Sequence, residues 1–162
     1  MWFAMRSENL AFLDRAPVVH VTEGGVPAPR EAVFAALADA RGWKHWFPNV
    51  RAASYKSPAP YGVGTIREAN VGGTRWVEEM VAWDEGVRFA WTVTGASVPF
   101  ANALVESYEL ADAPGGTLLR WTFALEPRLL ARLGAPFTAG TLRNVLRQAT
   151  ENLGTRLRAA SA

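Results

Sequence analysis

Three carboxylates, one tyrosine and one arginine carry most of the chemistry that this sequence offers. Glu78 and Glu79 stand side by side in TRWVEEMVAW (74–83), a run of β-branched and aromatic residues that reads as a strand. Successive side chains of a strand point to opposite faces. One glutamate therefore sits with Trp76, Met80 and Ala82, and the other with Val77, Val81 and Trp83. Both faces are rich in apolar groups, so one carboxylate is expected to look inward. Glu106 is a second inward candidate, because in LVESYEL (104–110) it shares a face with Leu104, Tyr108 and Leu110.

Among such neighbours desolvation raises a carboxyl pKa unless a cation is near, and Arg67 in TIRE (65–68) is the best cation for that role. Glu78 or Glu106 can then hydrogen-bond a ligand or move its proton, with Tyr108 or Arg67 at hand to steady an oxygen. The plainer reading is structural: Glu106 neutralised by a buried arginine or a tyrosine hydroxyl, and Tyr108 as core with a satisfied hydroxyl.

Other chemistries find little support. The chain has no cysteine, which excludes disulfides, thiolate metal sites and thiol catalysis. Two histidines, His20 and His45, are too few for a metal site, and neither has carboxylates at ligand spacing. His45 falls in an aromatic cluster with Trp43, Trp46 and Phe47, and His20 alternates away from Val19 and Val21, opposite to the more apolar side. No serine lies in a G-x-S-x-G elbow, and GVG (62–64) does not open a helix as a phosphate loop must. No cofactor or metal is expected. A nucleic-acid partner is not expected either, for want of a basic stripe interleaved with stacking aromatics.

These residues need a scaffold, and 162 residues with 49% hydrophobic and 20% charged side chains suffice for one domain with a real core. PVVHVTEGG (17–25) reads as the first strand, APREAVFAALAD (28–39) as a helix, and GWKHWFPNV (42–50) as a second short helix stopped at Pro48. Strand-like runs follow at 50–57, 63–71, 74–83, 87–94, 101–111 and 117–125, with DEG (84–86) and PGG (114–116) as turns. A short turn is expected at 128–133 and a long amphipathic helix at roughly 136–159, with Leu142, Val145, Leu146, Ala149, Leu153 and Leu157 at helical spacing. Residues 1–16 read as an N-terminal extension with one short helix from Ser7, and 17–160 as the domain. A seven-stranded antiparallel sheet of this size curls, and one helix cannot fill its hollow. The order predicts an α+β fold with a cavity between the long helix and the sheet.

This order resembles the START-like helix-grip superfamily of polyketide cyclases/dehydrases, lipid-transfer proteins, pollen allergens and abscisic acid receptors. The residues that carry the resemblance are APREAVFAALAD before WKHWFPNV, then GVGTIRE (62–68), VEEMVAWDEG (77–86) and GGTLLRWTFALEP (115–127). The resemblance implies a pocket for an apolar or amphipathic ligand, without fixing one chemistry. In the allergen and hormone-receptor branches a pocket carboxylate lies six residues before the Asp of this hairpin turn, which points to Glu78 before Asp84. Hairpin counting points the other way. If 84–86 is the turn, Trp83 opposes Val87 and Glu79 opposes Trp91, so Glu79 remains the alternative.

Alternation turns Phe89, Trp91 and Val93, and Trp121 and Phe123 between Leu119 and Leu125, toward the cavity, and leaves Arg120 outside. Leu142 and Val145 are expected to face them from the long helix. Trp46 and Phe47, with loops 70–74 and 95–103, are expected to ring the mouth, and Trp76 and Phe100 are expected among the ligand-binding residues. The expected partner is a hydrophobic small molecule such as a lipid, polyketide or aromatic compound. A polyketide cyclase/dehydratase is the alternative.

Six arginines from Arg128 onward (128, 132, 143, 147, 156, 158) face only Glu151. They read as a solvated helix face, or else as a landing site for an anionic membrane surface or a protein partner. No run approaches the ~18 apolar residues of a membrane span, and no secretory leader is evident, so a cytoplasmic monomer or homodimer is expected.

Overall fold

The computed structural model describes residues 1–129 and 138–162. Among these, eight strands form one antiparallel sheet, seven of them side by side along its main path. Those seven are β2 (Val18–Val26), β3 (Val50–Tyr55), β4 (Ile66–Val71), β5 (Thr74–Asp84), β6 (Arg88–Ala96), β7 (Ala101–Ala113) and β8 (Gly116–Pro127). Their spatial order is β2-β8-β7-β6-β5-β4-β3, so the meander is closed at one side by the first long strand, and β2 and β3 are the edges. Helix α2 (Arg30–Ala38) and a 3-10 helix (Ala40–His45) lie between β2 and β3, and helix α3 (Ala139–Ala160) follows β8. The expected helix over 42–50 is this tighter and earlier 3-10 helix. The chain leaves it through Pro48 and through Asn49, held at φ 65°, a left-handed conformation that asparagine tolerates.

Strand boundaries differ from the reading where turns intrude. The run expected from 63 becomes strand only at Ile66. Before it Thr65 donates its N–H to the Gly62 carbonyl, and Gly64 takes φ 85°. The expected turn at 128–133 lies largely outside the described residues, as do 136–137, where the long helix was expected to begin. Helix α3 is capped by Thr138, whose hydroxyl accepts the Thr141 N–H at 3.1 Å.

The first residues join the sheet. Strand β1 (Phe3–Ala4) pairs with β6, Phe3 opposite Ala96 and Ala4 opposite Gly95. β6 and β7 pair only over 88–92 and 105–109, and then part. Into the gap the Met5 N–H donates to the Thr94 carbonyl at 2.9 Å, and the Arg6 N–H to the Asn102 carbonyl at 2.7 Å. Helix α1 (Phe12–Arg15) then presses Phe12 against Ala103, Val105 and Ala124 on the outer face. Burial of such a phenylalanine contributes about 1.5–3 kcal/mol.

The core lies between the inner face of the sheet and the helices, where Leu142, Leu146, Ala149 and Leu153 are buried along one stripe of α3. The phase of β2 overturns the expectation for His20: Val19 and Val21 are exposed, while half-buried His20 and buried Thr22 share the inner face. Small groups are needed there because α3 comes close. A methyl added at Gly24 would meet the Thr150 methyl at 2.8 Å. Gly24→Ala is therefore expected to destabilise by about 1–3 kcal/mol, and Thr150→Ala in the same chain to relieve it. Chemical denaturation of the two singles and the double measures this, and purely additive effects would mean that the close approach is not the cause.

Candidate functional site

The question of which glutamate faces inward is decided by a β-bulge. The hairpin pairs Asp84 with Arg88 and Trp83 with Phe89, not with Val87, because the loop is 85–87, with Gly86 at φ 70°. Between Met80 and Ala82 the register shifts, so Val81 is an extra residue and Met80, not Glu79, opposes Trp91. Glu78 and Trp76 thus join the inner face. Glu78 is 2% exposed, whereas Glu79 turns to the other face and is partly exposed.

A cavity of about 320 Å³ opens between α3 and the sheet. Thr141, Leu142 and Val145 line it from α3, and Trp43, Phe47, Pro48, Asn49 and Val50 from the segment before and into β3. The sheet supplies Ala53, Arg67, Ala69, Val71, Trp76, Glu78, Trp91, Glu106, Tyr108, Trp121 and Phe123. The polar groups run in a row across neighbouring strands. Arg67 on β4 is the cross-strand partner of Glu78 on β5, and Glu106 on β7 is the partner of both Trp91 on β6 and Phe123 on β8.

Arg67 and Glu78 form a buried ion pair, Nε donating to Oε2 at 2.5 Å, with both side chains nearly inaccessible. The guanidinium is also caged by rings, its carbon 4.4 Å from the Trp91 centre, 4.9 Å from Trp43 and 5.8 Å from Phe89. Burial works against the charge of each partner. In Arg67 it is outweighed, chiefly by Glu78, and the pKa rises; in Glu78 it is the larger effect and lifts the carboxyl above its ordinary value despite Arg67. The two directions favour opposite states of the carboxyl. The ionised pair is the better description, because a guanidinium stays protonated and its short contact demands a counter-ion.

Among the described residues Glu106 has no such partner. It accepts the Trp121 Nε1–H at 2.9 Å, and burial first, then the neighbouring Glu78, pushes its pKa up to about 8. Arg67 is thus committed to one of the two cavity carboxyls, and the other holds its proton at neutral pH. The Tyr108 hydroxyl has no partner at hydrogen-bond geometry among the described residues, yet Glu106 is close enough to couple with it. Burial, followed by Glu106, raises the tyrosine pKa well above the ordinary value. The rings of Trp91, Tyr108 and Trp121 stand in a nearly parallel row, 5.4 and 5.7 Å between successive centres.

Phe89, Trp46 and Phe100, expected at the cavity or its mouth, do not line it, and neither does Val93. Phe89 is fully buried but packs against Phe34 of α2, which covers that end of the inner face. Trp46 is buried against Trp43 and Phe47, and its carbonyl accepts from the Asn152 side chain of α3, so it braces the wall. Phe100 stacks on the far side of Trp76, ring centres 5.1 Å apart. Much of the expected entrance loop is also regular: 95–96 end β6 and 101–103 begin β7, leaving 97–100 between strands. Trp43 was missed as a lining residue. Its signal was present in the 43, 46, 47 spacing, which puts three rings on one side of a short helix, and its indole N–H is fixed to the Leu37 carbonyl at 2.8 Å.

Neither histidine lines the cavity, and His45 is exposed. Among the described residues no group of three His, Asp or Glu could hold a metal ion, and no helix is long and apolar enough to cross a membrane. Arg120 is half-exposed and reaches Glu23 and Glu109 on the outer face.

The fold matches solved structures at low sequence identity. Ginseng major latex-like protein 151 from Panax ginseng superposes with a TM-score of 0.71 at 16% identity, covering 86% of this chain and 96% of that one. A START superfamily protein from Mycobacterium smegmatis gives 0.65 at 13% identity, with 88% and 98% covered. In sequence, uncharacterized proteins of Mycobacterium bovis and Mycobacterium tuberculosis are 31% identical over 117 residues, 72% of this chain and 70% of theirs. Residues 19–158 match the family described as polyketide cyclase / dehydrase and lipid transport, which spans every strand from β2 to β8 and nearly all of α3. The chain is a member of that family.

Proposed function

We propose that the protein binds a hydrophobic or amphipathic small molecule between α3 and the sheet. The observation that carries this reading is the cavity itself. It is walled by aromatic and aliphatic side chains and contains only a few polar groups, set in one row, as ligand sites generally are. Native mass spectrometry of protein purified from its expression strain tests it. The expected result is a co-purified small molecule, or uptake of an offered apolar one. Protein that takes up none across a panel of apolar compounds would sink the proposal.

Glu106 supports a second reading, that of a cyclase or dehydratase. A buried carboxyl with a pKa of about 8, beside Tyr108 and open to the cavity, suits proton transfer near neutral pH. In this reading Glu106 moves the proton, Tyr108 steadies the oxygen, and Glu78 holds Arg67 in place. Turnover of an offered poly-β-ketone that is lost in Glu106→Gln would favour the enzyme. A compound returned unchanged favours the carrier.

A further inference from the structure

The parting of β6 and β7 begins beside the cavity. The last residues they pair are Thr92 and Val105, one step past Trp91 and Glu106, which line the site. Beyond that step β6 stays paired with β5, Trp76 opposite Ala96, and β7 stays paired with β8, Leu104 opposite Leu125. The sheet is split at this end. Apart from the 97–100 connection, the split is bridged by the first residues of the chain, whose amides bond Thr94 on one side and Asn102 on the other. This segment is seated from three directions. Trp2 lies over Gly95, where an added methyl would meet its ring at 2.6 Å, and Arg75 covers that ring at 5.8 Å. Met5 is buried in the main core, and Phe3 stands opposite Ala96, in the cross-strand row that ends on Trp76. Arg128 closes the far side. Its Nη2 donates to the Ala4 carbonyl at 3.0 Å, its Nε to the Ala101 carbonyl at 3.1 Å, and its backbone N–H to the Phe100 carbonyl at 3.1 Å.

From this seating we infer that residues 2–6 are a strap that closes a port into the cavity, and that its lifting governs how fast a ligand enters and leaves. This rests on the binding reading above and adds its regulation. Trp76 lines the cavity, and Phe100, on the connection that the strap and Arg128 hold, stacks behind it. With the strap seated, both rings are fixed. With the strap lifted, no ladder joins 93–96 to 101–104, so the Trp76 side and the Phe100 connection are free to separate. The neighbouring seams offer no such place: β7 and β8 are paired from Ala101 to Ala113, and β5 and β6 from Trp76 to Asp84. Lifting is also a local event. Strand β1 has two residues, and a short, peripheral element opens at a free energy well below that of global unfolding. The strap lies outside residues 19–158 that match the family, so it is an addition to the matched domain.

The test follows entry and release of 1-aminoanthracene, a compact uncharged fluorophore, in the full chain by stopped flow. Arg128→Gln removes the side-chain bonds to Ala4 and Ala101 and leaves the cavity lining intact, since Arg128 does not line it. Entry and release are both expected to quicken by about 3–10-fold, the effect of a lost hydrogen bond on the opening equilibrium. Affinity should stay nearly constant, because a gate alters the path and not the seated free and bound states. Phe3→Cys with Ala96→Cys gives the converse. These residues are direct cross-strand partners and the chain has no other cysteine, so a single disulfide ties the strap to β6. The oxidised form should exchange the fluorophore about tenfold or more slowly than the reduced form, the least that a cross-link of typical strength implies. Equal rates in the two forms would overturn the strap and leave the cavity a binding site, whatever Arg128→Gln does. So would a cross-link that fails to form in folded protein. An Arg128→Gln effect on release alone would mean that the segment only props the wall, and would overturn the gate as well. Folded protein that binds neither this fluorophore nor any compound of the apolar panel would overturn the binding reading, and the strap with it.

Discussion

Arg67→Met is expected to cost about 3–5 kcal/mol of folding stability, the usual result of stranding one member of a buried ion pair. The loss comes from the glutamate left behind: Glu78 is 2% exposed, and among the described residues no other guanidinium contacts it. Removing both charges should recover most of the loss, so Arg67→Met with Glu78→Met is expected to fall within about 1–2 kcal/mol of the parent, since apolar replacements of similar volume are often tolerated. The single variant should also become pH-sensitive. Without Arg67, burial alone acts on Glu78 and raises its folded pKa further, so stability is retained below the unfolded carboxyl pKa and lost as the pH rises. Urea denaturation at pH 5 and pH 8 measures all three effects. A single variant as stable as the parent at pH 8 would show that the pair is not a buried unit.

Glu106→Gln should act in the opposite direction. Its folded pKa is about 8 against an ordinary 4.5, so its contribution to stability is fully present below pH 4.5 and declines as the pH rises through 8. The full span corresponds to ~5 kcal/mol at most. Glutamine keeps the shape, can still accept from the Trp121 indole, and does not ionise. The variant is therefore expected to match the parent near pH 5 and to exceed its stability by about 2–4 kcal/mol at pH 9. A polar-headed ligand should bind ~1–3 kcal/mol more weakly to the variant, the cost of an unmade hydrogen bond. A variant that unfolds at pH 5 would mean that the carboxyl is a structural partner which an amide cannot replace.

The fold was legible because its signals are periodic. Alternation along 101–111 and 117–125, helical spacing from Leu142 to Leu157 and glycine-marked turns all survive in the structure. The sheet around Glu78 was less legible because period two fails at a bulge. Val81 looks like any other strand residue, yet it changes the phase, and counting back from the hairpin without it selects the wrong glutamate. Phe89 and Trp46 were misplaced for another reason. Alternation tells which face a side chain takes, but not whether α2, α3 or the cavity covers that face. A two-residue strand such as β1 has no period to read. The pairing of Arg67 with Glu78 needed the register of β4 on β5, which no local pattern contains.

The strand that fills the parting of β6 and β7 has a kinetic consequence. Phe3 pairs with Ala96, the Arg6 amide reaches the Asn102 carbonyl, and β2 aligns Val18 with Leu125. Partners so distant along the chain cannot meet until most of it is available, and every such closure spends chain entropy before it returns contacts. The meander from β3 to β8 is made of neighbouring hairpins and needs no such wait. During synthesis, therefore, residues 3–6 must wait for β6 and the start of β7, and residues 18–26 for the last strand, so the final step of sheet assembly is the docking of β2.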